Sequence, residues 1–214
     1  MTTDDDRPDV DIAADPAIWL RGPSPEASDE DRREWLLGAQ HAVSTDFDLE
    51  NAKGGADYRE YLSQVLKAFV SWQTSANVTF LRMRHQGDTP IPVSLELYSR
   101  TDLQDIAADP SIDFSTDKPL ADQFVDSLLA DPDDVPTVGE TSCEPVGTTG
   151  WQRLVYWVED PKDGVTGRVR YVRHFEASGV VAVFRFGGLD PALTIEALED
   201  VDELALGVRV GGES

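Results

Sequence analysis

Five basic side chains crowd into one short segment, GRVRYVRHFEASGVVAVFRFGG at residues 167–188: Arg168, Arg170, Arg173, His174 and Arg185. Guanidinium groups recognise carboxylates and phosphates through paired N–H donors, and an imidazole titrates close to neutral pH. The chemistry open to this segment is therefore anion capture, with acid–base work available to His174. Its setting sharpens the question, because the 214-residue chain carries a formal charge of −23. Residues 146–188 hold six Lys and Arg against four Asp and Glu, a net of +2, which leaves −25 for the rest.

The segment reads as a β-hairpin with Glu176–Gly179 (EASG) as its loop. Facing positions follow by counting outward from the loop. Phe175 meets Val180, Arg173 meets Ala182, Tyr171 meets Phe184 and Val169 meets Phe186, a face that is apolar apart from Arg173. The other face pairs His174 with Val181, Val172 with Val183, and Arg170 with Arg185. A slip of one residue would mix the faces, so the apolar pattern fixes this register. Two arginines facing each other repel, and something negative must lie over them. Three readings follow: acidic helices whose carboxylates bridge the arginines, an anion or acidic-peptide site built from Arg168, Arg170, His174 and Arg185, or a protein-partner patch anchored by Trp151, Tyr156 and Trp157.

Other chemistry is sparse. His41, His85 and His174 have no ligand-like spacing, so no metal site is expected, and no cofactor either. G-x-S-x-G, the P-loop, G-x-G-x-x-G and H-E-x-x-H are all missing, and no catalytic residue is assigned. DFDLENAKGGAD, from Asp46, begins like a calcium loop, but Asn51 stands where glycine is required and Asp57 where the bidentate Glu belongs. An acidic connection between helices is the plainer reading. Cys143 is the one cysteine, which excludes an internal disulfide.

The elements that must position these groups are legible in outline. Residues 1–15 are expected to be a disordered acidic tail, and residues 16–214 a single α+β domain. Ala17–Arg21 reads as a short edge strand. Ser28 caps a first helix with Trp35, Leu36, Ala39 and Val43 on its apolar face. A second helix follows Gly54-Gly55, with Asp57 and Glu60 as a capping-box-like start and Tyr58, Tyr61, Leu62, Val65, Leu66, Phe69 and Val70 at helical spacing. The period then falls to two for strands at Val78–His85 and Pro92–Ser99. A short helix at Asp102–Ala107 and another opened by Asp117-Lys118-Pro119 come next. Strands at Trp151–Glu159, Arg168–Phe175 and Val180–Phe186, a helix from Asp190-Pro191 to about Asp202, and a closing strand at Leu204–Val210 complete the chain. The order predicts a mostly antiparallel sheet of five to seven strands flanked by helices.

Such acidity excludes a general nucleic-acid binder and docking on anionic membranes. Four Lys against fourteen Arg fits a GC-rich genome or a high-salt habitat. The acidic N-terminus is unlike a secretory leader, and no run is long enough to span a membrane, so a cytoplasmic protein is expected.

The stretch GRVRYVRHFEASGVVAVFRFGGLDPALTIEALEDVDELALGVRV, through its order of strands, helix and short strand, resembles the PsbP-like family of α/β sandwiches over the last 65 or so residues. IWLRGP and FLRMRHQGDTPIPVSLEL are similar to actinobacterial proteins. No functional residues carry over from either. The PsbP-like resemblance implies an antiparallel sheet with helices on its faces, in a family made mostly of binding or accessory factors. The expectation is a non-catalytic accessory or binding protein that meets an acidic protein partner or an anion through the hairpin. The alternative is an enzyme on a small anionic substrate, with His174 or His85 as acid–base.

Overall fold

A computed structural model of the chain describes residues 9–74, 76–109, 114, 117–130 and 136–211. It is a mixed α+β structure with a seven-stranded antiparallel sheet, order β2-β3-β4-β8-β7-β6-β5, and a two-stranded sheet of β1 and β9. The chain divides into two compact units, Ala14–Ser94 and Leu95–Ser214 with Met1–Ala13.

In the first unit, strand β2 (Trp19–Arg21) pairs antiparallel with β3 (Asn77–Arg82). Helix α1 (Asp29–Asp46) begins where Ser28 Oγ accepts from the Asp31 N–H and Asp31 accepts in return from the Ser28 N–H, a reciprocal cap. Helix α2 (Gly55–Trp72) starts differently from expectation: Gly54 is its N-cap at φ +77°, and Asp57 lies inside the first turn. Gly54 suits its left-handed φ, and Gly55 is demanded sterically, since a Cβ there would sit 2.1 Å from the Leu49 carbonyl oxygen. Leu62, Leu66 and Phe69 of α2 pack with Ala39, Val43, Leu49, Leu81 and Met83. Each such side chain taken fully from water contributes about 1.5–3 kcal/mol. Tyr61, placed by its spacing on the same face, is largely exposed.

The second unit carries the hairpins. Strands β5 (Ser142–Val146), β6 (Trp151–Asp160), β7 (Gly164–Phe175) and β8 (Val180–Leu189) pair in sequence. Strand β4 (Ile91–Tyr98) leads through Ser99, which caps α3 (Arg100–Ala107). Helix α4 (Leu120–Ala130) packs with α3 on one face of the hairpin, around Val172, Val181 and Val183. Helix α5 (Pro191–Leu206), capped by Asp190 with Pro191 in its first turn, packs on the other face. At that contact Gly167 is required, because a Cβ there would lie 2.3 Å from Thr194 Oγ1. The β7–β8 register shifts between Gly167 and Arg168.

Two expectations are corrected at the ends. Leu204–Leu206 extend α5 rather than open a strand. After Gly207 only Val208–Val210 (β9) are extended, pairing with β1 (Val10–Ile12). Val10–Ile12, assigned to the disordered tail, are thus a strand, with Ile12 buried. Three residues paired to a partner satisfy their backbone groups despite the acidic surroundings. Residues 1–8 lie outside the described residues.

Candidate functional site

The hairpin register is the expected one at all seven positions, including Arg170 directly opposite Arg185. The repulsion is relieved within the second unit, along two different routes. Arg170 is buried, and its Nη1 donates to the main-chain carbonyl of Leu128 in the last turn of α4. The final carbonyls of a helix have no intrahelical partner and carry partial negative charge, so a guanidinium is well placed there. Arg185 turns the other way, to Glu96 on β4, with Nε 3.4 Å from Oε2. Glu96 Oε2 also accepts from the Tyr98 hydroxyl at 2.7 Å. Burial, and then that carboxylate, push the Tyr98 phenol up to about 12.

His174 lies two repeats further along the same face, beyond Val172. Its Nδ1 is 3.0 Å from Asp122 Oδ1 on α4. Asp122 sits over residue 174 and Leu128 over residue 170, so α4 runs antiparallel to β7. The helix covers about 9 Å between those residues, and the strand about 13 Å. Arg168 is exposed, six residues from His174 and thus roughly 20 Å away along β7. Of the four predicted site residues, Arg170 and Arg185 are cross-strand neighbours that turn to different partners, Leu128 of α4 and Glu96, while Arg168 and His174 lie near opposite ends of the strand.

What does gather is at the loop end of the hairpin. An open depression of about 740 Å³ is lined by Thr148, Thr149, Gly150, Arg173, His174 and the Glu176–Ala177 turn. The Arg173 guanidinium lies over the Phe175 ring, 3.9 Å from its centroid, a cation–π contact that orients it. With Nδ1 of His174 held by Asp122, Nε2 is the ring nitrogen left to face a ligand. Gly150, at φ +86°, turns the β5–β6 connection beside Arg173. The sequence placed Arg173 in the hairpin but gave no sign that residues 148–150 would come alongside, because β5 has no apolar alternation: four of its five residues are exposed.

A second cluster was missed altogether. On the α5 face, Arg153 lies across the ladder from Tyr171. Arg153 Nη1 donates to Asp202 Oδ2 at 2.7 Å, and its Nη2 to Glu144 at 2.9 Å. The Tyr171 hydroxyl donates to Asp202 Oδ1 at 2.7 Å. Burial, reinforced by Asp202, holds the Tyr171 phenol far above its ordinary range. Trp157 and Tyr156, proposed as partner anchors, are respectively half-buried and buried, and Trp151 is fully buried against Phe175 and Phe184. A buried ring cannot anchor a partner, so Trp151 and Tyr156 are core residues.

His85, the alternative acid–base, is not in the strand expected to run to it: β3 ends at Arg82, and His85 is exposed in the turn that follows, where its backbone N–H donates to Asp88 at 2.9 Å. Among the described residues no group of three or more His, Cys, Asp and Glu is placed to hold a metal ion. None of the described helices is long and apolar enough to cross a membrane.

No family model matches the chain, and no curated protein matches it. Among solved structures it is similar to LpqN of Mycobacterium tuberculosis, a protein involved in cell envelope biogenesis. The identity is 11% and the TM-score 0.44, over 97% of this chain and 86% of that one.

Proposed function

We propose that this chain is a non-catalytic accessory or binding protein of the cytoplasm, PsbP-like in architecture. It engages an anionic group, free or on an acidic partner, at the loop end of its arginine-bearing hairpin. The observation that carries the reading is the open depression where Arg173, His174 and the Thr148–Thr149 hydroxyls come together. Arg170 and Arg185 are given internal roles instead: one caps α4 and the other pairs with Glu96. An oriented guanidinium, an imidazole and two hydroxyls are the donor set that a phosphate or carboxylate requires. Glu176 on the rim limits how much negative charge the depression accepts.

Thermal unfolding with inorganic phosphate, and separately with a hexaglutamate peptide, tests this. At ten times Kd the ligand adds about 1.4 kcal/mol, a rise of roughly 3–6 °C for a chain of this size. Arg173→Gln and His174→Asn are expected to abolish the rise, and Arg168→Gln to keep it. A chain indifferent to both ligands would refute the proposal.

One observation favours a second reading. The Asp122–His174 pair fixes the imidazole as general acid–base sites do, so an enzyme acting on a small anionic substrate is the alternative. Turnover lost in both Asp122→Asn and His174→Asn would support it over simple binding.

A further inference from the structure

A groove of about 710 Å³ opens in the Ala14–Ser94 unit between the segment through β2, the C-terminal end of α1 and the residues that follow β3. Its size suits a small ligand. The floor is apolar: Trp19, Val43 and Met83 are buried, and Phe47 is half-buried. One end is acidic. Asp46 lies in the last turn of α1 and Asp48 just beyond it, both exposed on the groove. The last turn of α1 holds no basic residue, and its carbonyls at Val43, Ser44 and Thr45 accept from the backbone N–H groups of Phe47, Leu49 and Asp48. Trp19 and Phe47 add aromatic faces, which attract cations.

The basic groups on the same lining are Arg84 and His85. Arg84 has interactions of its own, and the Asp88 carboxylate accepts from the backbone N–H of both residues, at 3.3 and 2.9 Å. A third carboxylate therefore sits beside them. The net charge of −23 also draws cations toward the surface.

We propose that this groove binds a small organic cation with an apolar body, its ammonium between Asp46 and Asp48 and its body on Trp19, Val43 and Met83. The site is independent of the hairpin, and either can fail without the other.

Isothermal titration with octyltrimethylammonium, octyl sulfate and octyl glucoside, each below its aggregation threshold and in physiological salt, tests the assignment. The expected result is one site for the cation, weakened at least tenfold in Asp46→Asn/Asp48→Asn. Binding is expected to be lost in Ala42→Trp, which fills the groove from an exposed position. Asparagine tolerates the φ of +46° at residue 48, so the acidic-end variant keeps its fold, and it decides the matter if Ala42→Trp does not fold. Equal binding of the sulfate or glucoside, survival of binding in a folded Ala42→Trp, or no binding of the cation would each overturn the proposal.

Discussion

On the α5 side of the β7–β8 hairpin, Tyr171 and Arg153 both end on the carboxylate of Asp202. On the α4 side, Arg170 ends on a main-chain carbonyl and His174 on Asp122, whose side chain is 47% exposed. The α5 side is a network in which two donors, Tyr171 and Arg153, share one partly buried carboxylate, so removing it loosens both. The α4 side is a series of separate pairings that loosen toward the loop, until at His174 the ring faces an open depression. The same two strands thus carry a locked face and a face with one accessible end. The proposed anion site lies at the loop end, where Arg173 from the α5-side face and His174 from the α4-side face line one depression.

The largest expected effect tests the locked face by its packing. Phe184→Ala, at a fully buried ring against Trp151, is expected to cost about 3–5 kcal/mol in urea unfolding. Val183→Ala, on the α4 face, is expected to cost about half as much. Equal losses would erase the contrast.

Next come the carboxylates themselves. Asp202→Ala leaves the Tyr171 hydroxyl and Arg153 without their shared acceptor and should cost about 2–3 kcal/mol, reduced from a fully buried pair because Arg153 and Asp202 are 17% and 27% exposed. Asp122→Ala, at the half-exposed pair, should cost less than about 1 kcal/mol.

Alkaline titration sharpens the same comparison. Tyr98 and Tyr171 have folded pKa values raised above the unfolded value, so their contribution is complete below about pH 10. It is lost as the unfolded chain begins to ionise first and pH climbs toward the folded values, about 12 for Tyr98 and higher for Tyr171. Stability should therefore fall steeply above pH 10, and less steeply in Tyr171→Phe than in Tyr98→Phe, because the phenol on the locked face is held higher. The reverse ranking would place the tighter environment on the α4 side. The smallest effect belongs to exposed Arg168. Arg168→Ala should change stability by no more than about 0.5 kcal/mol.

The hairpin could be read in the sequence because its alternation and its EASG loop leave one register that keeps Val169, Tyr171 and Phe175 together. The facing arginines followed from that register alone. Their neutralisation did not follow, because it depends on Leu128, whose carbonyl is chemically like every other, and on Glu96, one acid among 41 Asp and Glu. A carboxylate can be counted in a sequence, but the free end of a helix has to be placed before its carbonyls can serve. Asp202 escaped for a related reason: the helix was expected to end there, while in the structure it continues to Leu206 and turns that carboxylate onto the sheet. Strand β5 was invisible because, with four of its five residues exposed, it lacks the apolar periodicity that marks a strand.

The most direct test of the account is an NMR titration of the three histidine rings with inorganic phosphate, each ring assigned by substitution. A saturable shift of the His174 ring is expected, with His41 and His85 unmoved. Equal shifts at all three rings, or none at His174, would contradict it.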